Sequence, residues 1–513
     1  MSKRMKIGLT VGLLATAAVL FTQTAHAAAD VITVVSGPTF ALGHSAIAID
    51  ENDNPYIAYY SGLGGLALSV CDTPTCTNPI IRELGDLGNS AFYPNVALDS
   101  SGNPVIGSQD SSFDQLELVR CTDPTCASST VTVVDSQGDV GQYASMALDS
   151  AVRPVFCYYD ATITDLNLAV CNNLTCTNPT FRVLDASGGD VGLYTSIVLD
   201  DANRPIISYY DAATPEKLKL AVCNNPTCTN PAITTVDSGA GIGEYTSVTL
   251  TPEGLPVISY TGGIDGIYLA LCNDRICSNP TIRTLQNIEA AYTSFTIGET
   301  GYPVVAYYDA TNEDLKLAEC TNSSCSNRNI RTLDSGGDVG EYAAIADRAV
   351  AYFDNTNLTI KLYRAYRPTL PNAGFDLPLS DWALIGGADN AQLCLTDGCA
   401  VALTGDGSTD LIRTTVPVET IPGGLWTLSF EVTGLNIASG GQMGARLEFL
   451  EGDATVATAN CLAPERGTFD ATTVTCPPAA APSSYDAIRI SIGWQNISGG
   501  LLFIDDVALD VTN

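Results

Sequence analysis

Two residue types recur in this chain at spacings that could place them on one surface. Tyrosine stands at Tyr93, Tyr143, Tyr194, Tyr245, Tyr292 and Tyr342, with His44 at the equivalent place before them. Aspartate recurs at Asp110, Asp160, Asp211, Asp309 and Asp354. A phenol ring offers a flat face on which a sugar ring can stack, with a hydroxyl to orient it, and a carboxylate accepts hydrogen bonds from vicinal hydroxyls. The six tyrosines with Asp160, Asp211 and Asp309 therefore form a candidate ligand-binding surface for a carbohydrate or a calcium-glycan. The recurrence also argues for a duty to the fold, because tyrosine packs between neighbouring units and aspartate caps turns through nearby backbone amides. On that reading function sits where a unit departs from the pattern: His44, Gln109-Asp110, Thr261-Gly262-Gly263-Ile264-Asp265 and Asn287-Ile288-Glu289. These form no recognisable catalytic set. Acids are so abundant that a carboxylate pair suited to glycoside hydrolysis carries no information here.

Cysteine supplies a second pattern. Six C-x4-C pairs recur: Cys71 with Cys76, Cys121 with Cys126, Cys171 with Cys176, Cys223 with Cys228, Cys272 with Cys277 and Cys320 with Cys325. None of the 17 cysteines makes a C-x2-C pair. With only 2 histidines in the chain, a metal site is a poor reading and disulfides across short hairpin loops are expected. They are expected to pin those loops locally, without linking one repeated unit to the next. Each such bridge contributes about 2 kcal/mol by restricting the unfolded chain. Cys394 with Cys399 and Cys461 with Cys476 are expected to pair in the C-terminal region. Cys157, left over in the apolar run Phe156-Cys157-Tyr158, is expected to be a buried inert thiol.

The elements that position these groups follow from an internal repeat. Unit starts at 44, 93, 143, 194, 245, 292 and 342 are separated by 49, 50, 51, 51, 47 and 50 residues. A complete unit holds four short apolar or alternating runs separated by Asn-Pro, Gly-Asn or Asp-Ser-Gly turn chemistry, which predicts four antiparallel strands. Four strands in such a repeat describe a propeller blade. The seventh unit ends after three strands, and Ile32-Thr33-Val34-Val35-Ser36-Gly37 resembles the fourth strand of other units. An N-terminal strand would then close the last blade and remove the free sheet edges of an open array. The expected fold is all-β: a seven-bladed β-propeller closed by that strand, then a β-sandwich. In a propeller the fourth-to-first and second-to-third connections share one face, so the recurrent tyrosines and aspartates gather at one mouth of the channel.

Composition bounds partners and compartment. The chain carries 56 Asp+Glu against 23 Lys+Arg, a net charge of −33, and without residues 1–27 the balance is 56 against 20, or −36. Such a field repels phosphate backbones and anionic lipid, which argues against nucleic-acid partners and membrane binding. Residues 1–27 read as a signal peptide: a basic start, an apolar run from Ile7 to Phe21 too short to span a bilayer, and Ala25-His26-Ala27 before a cleavage site. The mature protein is expected to be secreted, with a propeller over 28–366, a linker over 367–371 and a sandwich over 372–513. All three tryptophans, Trp382, Trp426 and Trp494, lie in this last part. Alternation along Ile488-Arg489-Ile490-Ser491-Ile492-Gly493-Trp494 puts Trp494 on the isoleucine face, hence in the core.

The unit Tyr307-Tyr-Asp-Ala-Thr-Asn-Glu-Asp-Leu-Lys-Leu-Ala318 resembles secreted bacterial seven-bladed propeller repeat proteins, over about residues 31–366. That resemblance implies fold and secretion, and no assigned activity. The turn Asp99-Ser-Ser-Gly-Asn-Pro104 is distantly similar to the Asp-box turns of sialidase-like propellers, but lacks their full pattern. Arg82, Arg182, Arg283 and Arg331 do not form the arginine cluster such enzymes use, and are expected to blunt outer strands. Asn372-Ala-Gly-Phe-Asp376, Gly424-Leu-Trp-Thr-Leu-Ser-Phe430 and Phe503-Ile-Asp-Asp-Val-Ala-Leu509 resemble jelly-roll carbohydrate-binding modules of the galactose-binding-like class. This second resemblance implies a structural Ca2+ at Asp376 with Asp505 or Asp506, and no other cofactor. The expected function is noncatalytic glycan binding or adhesion. A glycan-acting hydrolase or lyase at the propeller mouth is one alternative, and a structural surface or matrix component is another.

Overall fold

The computed structural model describes residues 29–37, 41–62, 65–84, 91–262, 266–298, 301–366, 382–386, 391–395, 398–418, 424–452, 454–463 and 466–512. Residues 1–27, the linker 367–371 and Asp265 and Asp376 lie outside the described residues. Val31–Arg364 form one compact unit, and Ala365–Asn513 belong to another.

The first unit holds seven four-stranded sheets. Blades 1 to 6 span residues 41–83, 91–135, 142–185, 191–238, 242–286 and 290–334, each with its strands in sequence order from the channel outward. Blade 7 takes its first three strands from residues 339–366 and its outer strand from Ala29–Val34. That N-terminal strand is the expected closure. It is extended by the Val35 amide donating to the Ile360 carbonyl at 2.9 Å and the Ile360 amide donating to Ser36 Oγ at 3.1 Å. Consecutive inner strands touch around the whole unit, including the first with the last, so the ring is closed.

Strand burial follows position in the blade. Second strands such as Pro205–Asp211 are buried along their whole length, because a blade in mid-ring is covered on both faces. Outer strands such as Thr180–Asp185 are open to solvent until their last two residues. The core therefore lies in layers between blades: Val155, Leu166 and Leu168 of blade 3 pack with Ile207 and Tyr209 of blade 4. Within that layer Cys157 is fully buried, and burial pushes its thiol up to about 12, as an inert core cysteine requires.

Inner strands are stitched by side chains the repeat supplies. Thr195, Thr246 and Thr293 donate to the carbonyls of Tyr143, Tyr194 and Tyr245 one blade earlier, at 2.6, 3.1 and 2.5 Å. The amides of Ile197, Val248 and Ile345 donate to Ser145, Ser196 and Ser294. The Gly-Asp-Val-Gly loops bring each inner strand against the blade before it. At Gly192 (φ +106°) and Gly340 (φ +112°) a Cβ would stand 2.8 Å from the Cα of Leu166 and Leu315. A side chain there meets both a steric and a conformational penalty.

The six expected C-x4-C disulfides are present. Cys71 is bonded to Cys76, Cys121 to Cys126, Cys171 to Cys176, Cys223 to Cys228, Cys272 to Cys277 and Cys320 to Cys325, with Cα atoms 4.7–4.9 Å apart. Each bond stays inside its own blade, as expected, and the sulfurs take a further part in packing. Cys76, Cys126, Cys176, Cys228, Cys277 and Cys325 are all buried, and each takes a left-handed φ between 47° and 56°. Every pair lies in the apolar layer against the preceding blade: Cys76 with Ala351 and Phe353 of blade 7, Cys126 with Leu68, Cys176 with Val105, Cys228 with Val155, Cys277 with Ile206 and Cys325 with Val257. The bond is local, but the sulfurs fill a seam between blades, because the third strand ends beneath its neighbour rather than in solvent. Cys461 is bonded to Cys476 as expected. Cys394 and Cys399 are cross-strand partners, but their side chains lie outside the described residues. Two outer-strand arginines do more than blunt an edge. Arg82 donates to the Thr125 carbonyl at 2.8 Å and Arg283 to the Ser324 carbonyl at 3.0 Å, each clasping the disulfide hairpin of the following blade.

The second unit is a pair of sheets, one of five strands and one of six. Its core holds Trp426, Phe430, Phe449, Tyr485 and the isoleucines 488, 490 and 492. All three tryptophans are buried; Trp426 Nε1 donates to the Tyr485 hydroxyl at 3.0 Å and Trp494 Nε1 to Asp410 at 3.2 Å. The described residues are all-β, and none of their helices is long and apolar enough to cross a membrane.

Candidate functional site

The six recurrent tyrosines and His44 meet. Each begins the regular part of an inner strand in a left-handed conformation, with φ between 46° and 54°, at a bulge that turns its ring toward the channel. Ring centroids follow one another at 4.8 Å (His44–Tyr93), 4.6, 4.6, 4.5, 4.8, 4.3 and finally 4.2 Å (Tyr342–His44). The result is a closed aromatic collar. Burial, then the neighbouring collar hydroxyls, holds the phenols of Tyr93, Tyr194 and Tyr292 above their usual range. The seventh place is filled by histidine.

Burial holds His44 down to about 4, well below the usual imidazole value near 6.5. The folded state thus prefers the neutral ring. Its contribution is complete above about pH 6.5 and is lost as the pH falls toward 4. Thermal midpoints of the wild type should fall more steeply between pH 6.5 and 4.5 than those of His44→Gln; parallel curves would refute a buried neutral imidazole.

The recurrent aspartates take no part in the collar's ring contacts. Asp160, Asp211 and Asp309 are 5 %, 2 % and 0 % exposed at the second-to-third turns. Asp160 accepts the amides of Thr162 and Ile163, Asp211 that of Ala213, and Asp309 those of Thr311 and Asn312. Their second oxygens face the third strand. Lys219 Nζ stands 3.1 Å from Asp211, Lys316 Nζ 2.5 Å from Asp309 and Lys361 Nζ 2.7 Å from Asp354. Lys219 and Lys361 also reach Asp185 and Asp334 of the preceding blade, at 2.7 and 3.1 Å. The tyrosine two residues before the turn aspartate joins the same locks in blades 4 and 7, as Tyr209 donates to Asp185 and Tyr352 to Asp334.

Above the collar the repeat varies. The residue before each collar tyrosine faces, across the sheet, the next-to-last residue of the second strand: Phe92 faces Gln109, Gln142 faces Tyr159, Leu193 faces Tyr210, Glu244 faces Thr261, and Glu341 faces Phe353. The second-strand members are buried supports, while Phe92, Gln142, Leu193, Glu244 and Glu341 remain partly accessible. Asp139 accepts from Gln109 and Gln142 at 3.2 and 2.9 Å, Asp190 from Tyr159 at 2.7 Å, and Asp338 from Tyr308 at 2.8 Å. Burial, then the neighbouring Glu216, holds Glu244 above the usual carboxyl range; burial, then Asp338, does the same to Glu341. This rim combines an aromatic face, amides and carboxyls over an aromatic floor. Of the departures from the repeat, Gln109 belongs to it, and Glu289 is exposed in its loop. Glu244 and Glu341 are the residues that sequence reasoning missed. Comparing the position before each collar tyrosine across units, Gly43, Phe92, Gln142, Leu193, Glu244, Ala291 and Glu341, would have found them.

In the second unit Asp505 accepts the Asp506 amide at 2.8 Å, and Asp506 takes a φ of 45° where the strand register shifts. Among the described residues no three acidic, histidine or cysteine side chains gather as for a metal ion.

No family model matches the chain, and no curated protein does. Solved structures resemble it distantly. A polysaccharide lyase of family PL25, an ulvan lyase, is 14 % identical, with a TM-score of 0.46 over 66 % of this chain and 94 % of that one. A sialidase from Trypanosoma rangeli is 12 % identical, with a TM-score of 0.35 over 85 % of this chain and 93 % of that one. Tailspike protein 4 of bacteriophage CBA120 is 19 % identical, with a TM-score of 0.23 over 28 % of this chain, which spans only 22 % of the tailspike structure.

Proposed function

We propose that this is a secreted, noncatalytic glycan-binding or adhesion protein that engages sugar at the propeller mouth and carries a carbohydrate-binding-like sandwich. The observation that carries this reading is the variable rim over the constant collar. A scaffold repeated seven times holds fixed what the fold needs, and the accessible residues that differ from blade to blade supply an aromatic face, an amide and two carboxyls. Those are the groups that stack on a pyranose and bond its hydroxyls. Seven disulfides among the described residues support an oxidising compartment. The chain's charge of −33 favours neutral over sulfated or uronic polysaccharides.

A polysaccharide pull-down with a glycan array tests this. Binding to a neutral glycan is expected to weaken at least tenfold in Phe92→Ala/Glu244→Ala while the variant stays folded at the assay temperature. A blank across the array from folded protein would end the reading. A second reading, a glycan-acting enzyme, draws on the carboxyls of Glu244 and Glu341, which burial holds above their usual range, the direction that favours a general acid. It predicts turnover that Glu341→Gln abolishes while binding persists.

A further inference from the structure

Blade 2 breaks the lock that blades 4, 6 and 7 build. Its turn aspartate, Asp110, is 1 % exposed, and Asp110 Oδ1 accepts the Ser112 amide at 2.9 Å as its counterparts do. The third-strand position that holds Lys219, Lys316 and Lys361 in blades 4, 6 and 7 is Glu117 here, because Glu117 pairs with Ser108 across the sheet as Lys219 pairs with Tyr209. A lysine place thus carries a carboxylate, and a tyrosine place carries the smaller serine. Glu117 is 3 % exposed, and Oε1 accepts from Gln115 at 2.5 Å. The other two oxygens, Asp110 Oδ2 and Glu117 Oε2, are buried and find no hydrogen-bond partner among the described residues. Blade 3 avoids the same conflict with a neutral residue, Asn167, whose amide donates to Asp160 at 3.1 Å.

Two carboxylates buried together with unused oxygens carry a large desolvation penalty unless a positive charge joins them. Burial, then Asp110, pushes the Glu117 carboxyl up to about 7, the response expected of an acid lacking its counter-charge. We propose that Asp110 and Glu117, with the Ser108 hydroxyl, hold a hard divalent cation of the calcium class where sister blades place a lysine ammonium. The donors are all oxygen, which selects a hard ion, and two acidic ligands match a double charge. The ion would fix the second-to-third hairpin of blade 2 next to Gln109, the buried support of the rim residue Phe92, so it is structural to the mouth without itself being the glycan site.

The test is calorimetric titration of the EDTA-treated, dialysed full chain with CaCl2 at pH 7.5, paired with thermal melting. Wild type should take up one equivalent that Glu117→Gln loses, and its melting temperature should rise by about 2–4 °C at saturation. Glu117→Lys supplies the missing ammonium in place of the ion. It should melt higher than calcium-free wild type and lack that equivalent. An uptake unchanged in both variants would place calcium elsewhere, such as at Asp505 and Asp506, and overturn the proposal. So would a wild type that ignores calcium yet gains stability on acidification to pH 5, since a proton would then occupy the site.

Discussion

Lys219→Met should destabilise the propeller by about 3–5 kcal/mol, the usual cost of removing one partner from a buried ion pair. Lys219 is 7 % exposed and its ammonium contacts Asp185 at 2.7 Å, Asp211 at 3.1 Å and Ser187 Oγ at 2.9 Å. Asp185 and Asp211 belong to different blades, so methionine leaves Asp185 without a counter-charge in the seam between them, while Asp211 keeps only the partly exposed Lys217. Lys217 is the control: it reaches only Asp211 among acids, at 3.2 Å, and its side chain is 24 % exposed. Lys217→Met should therefore cost about 1 kcal/mol or less. Scanning calorimetry measures both, and equal losses would refute the seam as the source. The pH dependence has a definite sign. Burial alone would raise Asp185, but hydrogen bonds from Lys219, Tyr209 and Ser187 outweigh it and hold the carboxyl below its usual range. Burial alone would lower Lys219, but Asp185 and Asp211 outweigh it and hold the ammonium above its usual range. The carboxyl's share of stability is present above about pH 4 and lost as pH falls through the depressed value; the lysine's share is present below about pH 10 and lost as pH rises through the raised one. The difference between wild type and Lys219→Met should accordingly be flat from about pH 5 to 9 and shrink at both ends.

That lock was hidden in the sequence for a physical reason. Lys217-Leu218-Lys219-Leu220 alternates with period two, the pattern of a strand with one wet face. In a ring of blades the third strand has no wet face over its inner half, so Lys219 is buried although the alternation suggests solvent. The same geometry carries Cys76 and its five counterparts into the seams, where spacing alone shows only a loop staple. The blade count, the N-terminal closure and the pairing of the six equivalent disulfides were legible, because each follows from repetition and from a unit that lacks its last strand. The fold duty of the recurrent tyrosines and aspartates was legible from the same repetition, as the collar and the turn bonds of Asp160, Asp211 and Asp309 illustrate. The rim was not. Glu244 and Glu341 sit in frame with Phe92 and Leu193, and only a shared position on the bulge, which the chain does not spell out, makes them neighbours on one mouth.

The collar makes the second large prediction, in which the order of three variants matters more than any single value. Tyr194 lies 4.6 Å from the Tyr143 ring and 4.5 Å from that of Tyr245, and its φ is +52°. Tyr194→Phe keeps the packing and loses only the hydroxyl, about 1 kcal/mol or less. Tyr194→Ala opens a gap in the ring of aromatic contacts, about 3–5 kcal/mol, and leaves a Cβ residue in the left-handed region. Tyr194→Gly removes more side chain than alanine does, yet it adopts that φ without penalty, so it should be about 1 kcal/mol less damaging than alanine. The expected order of loss in denaturant unfolding is Phe, then Gly, then Ala. Alanine milder than glycine would mean that the bulge relaxes once the ring is gone, and that the tyrosines follow the backbone rather than hold it. The predicted order would mean the reverse dependence: the fold imposes a left-handed residue at the head of every inner strand, and each aromatic ring repays that cost by packing on the next around the closed channel.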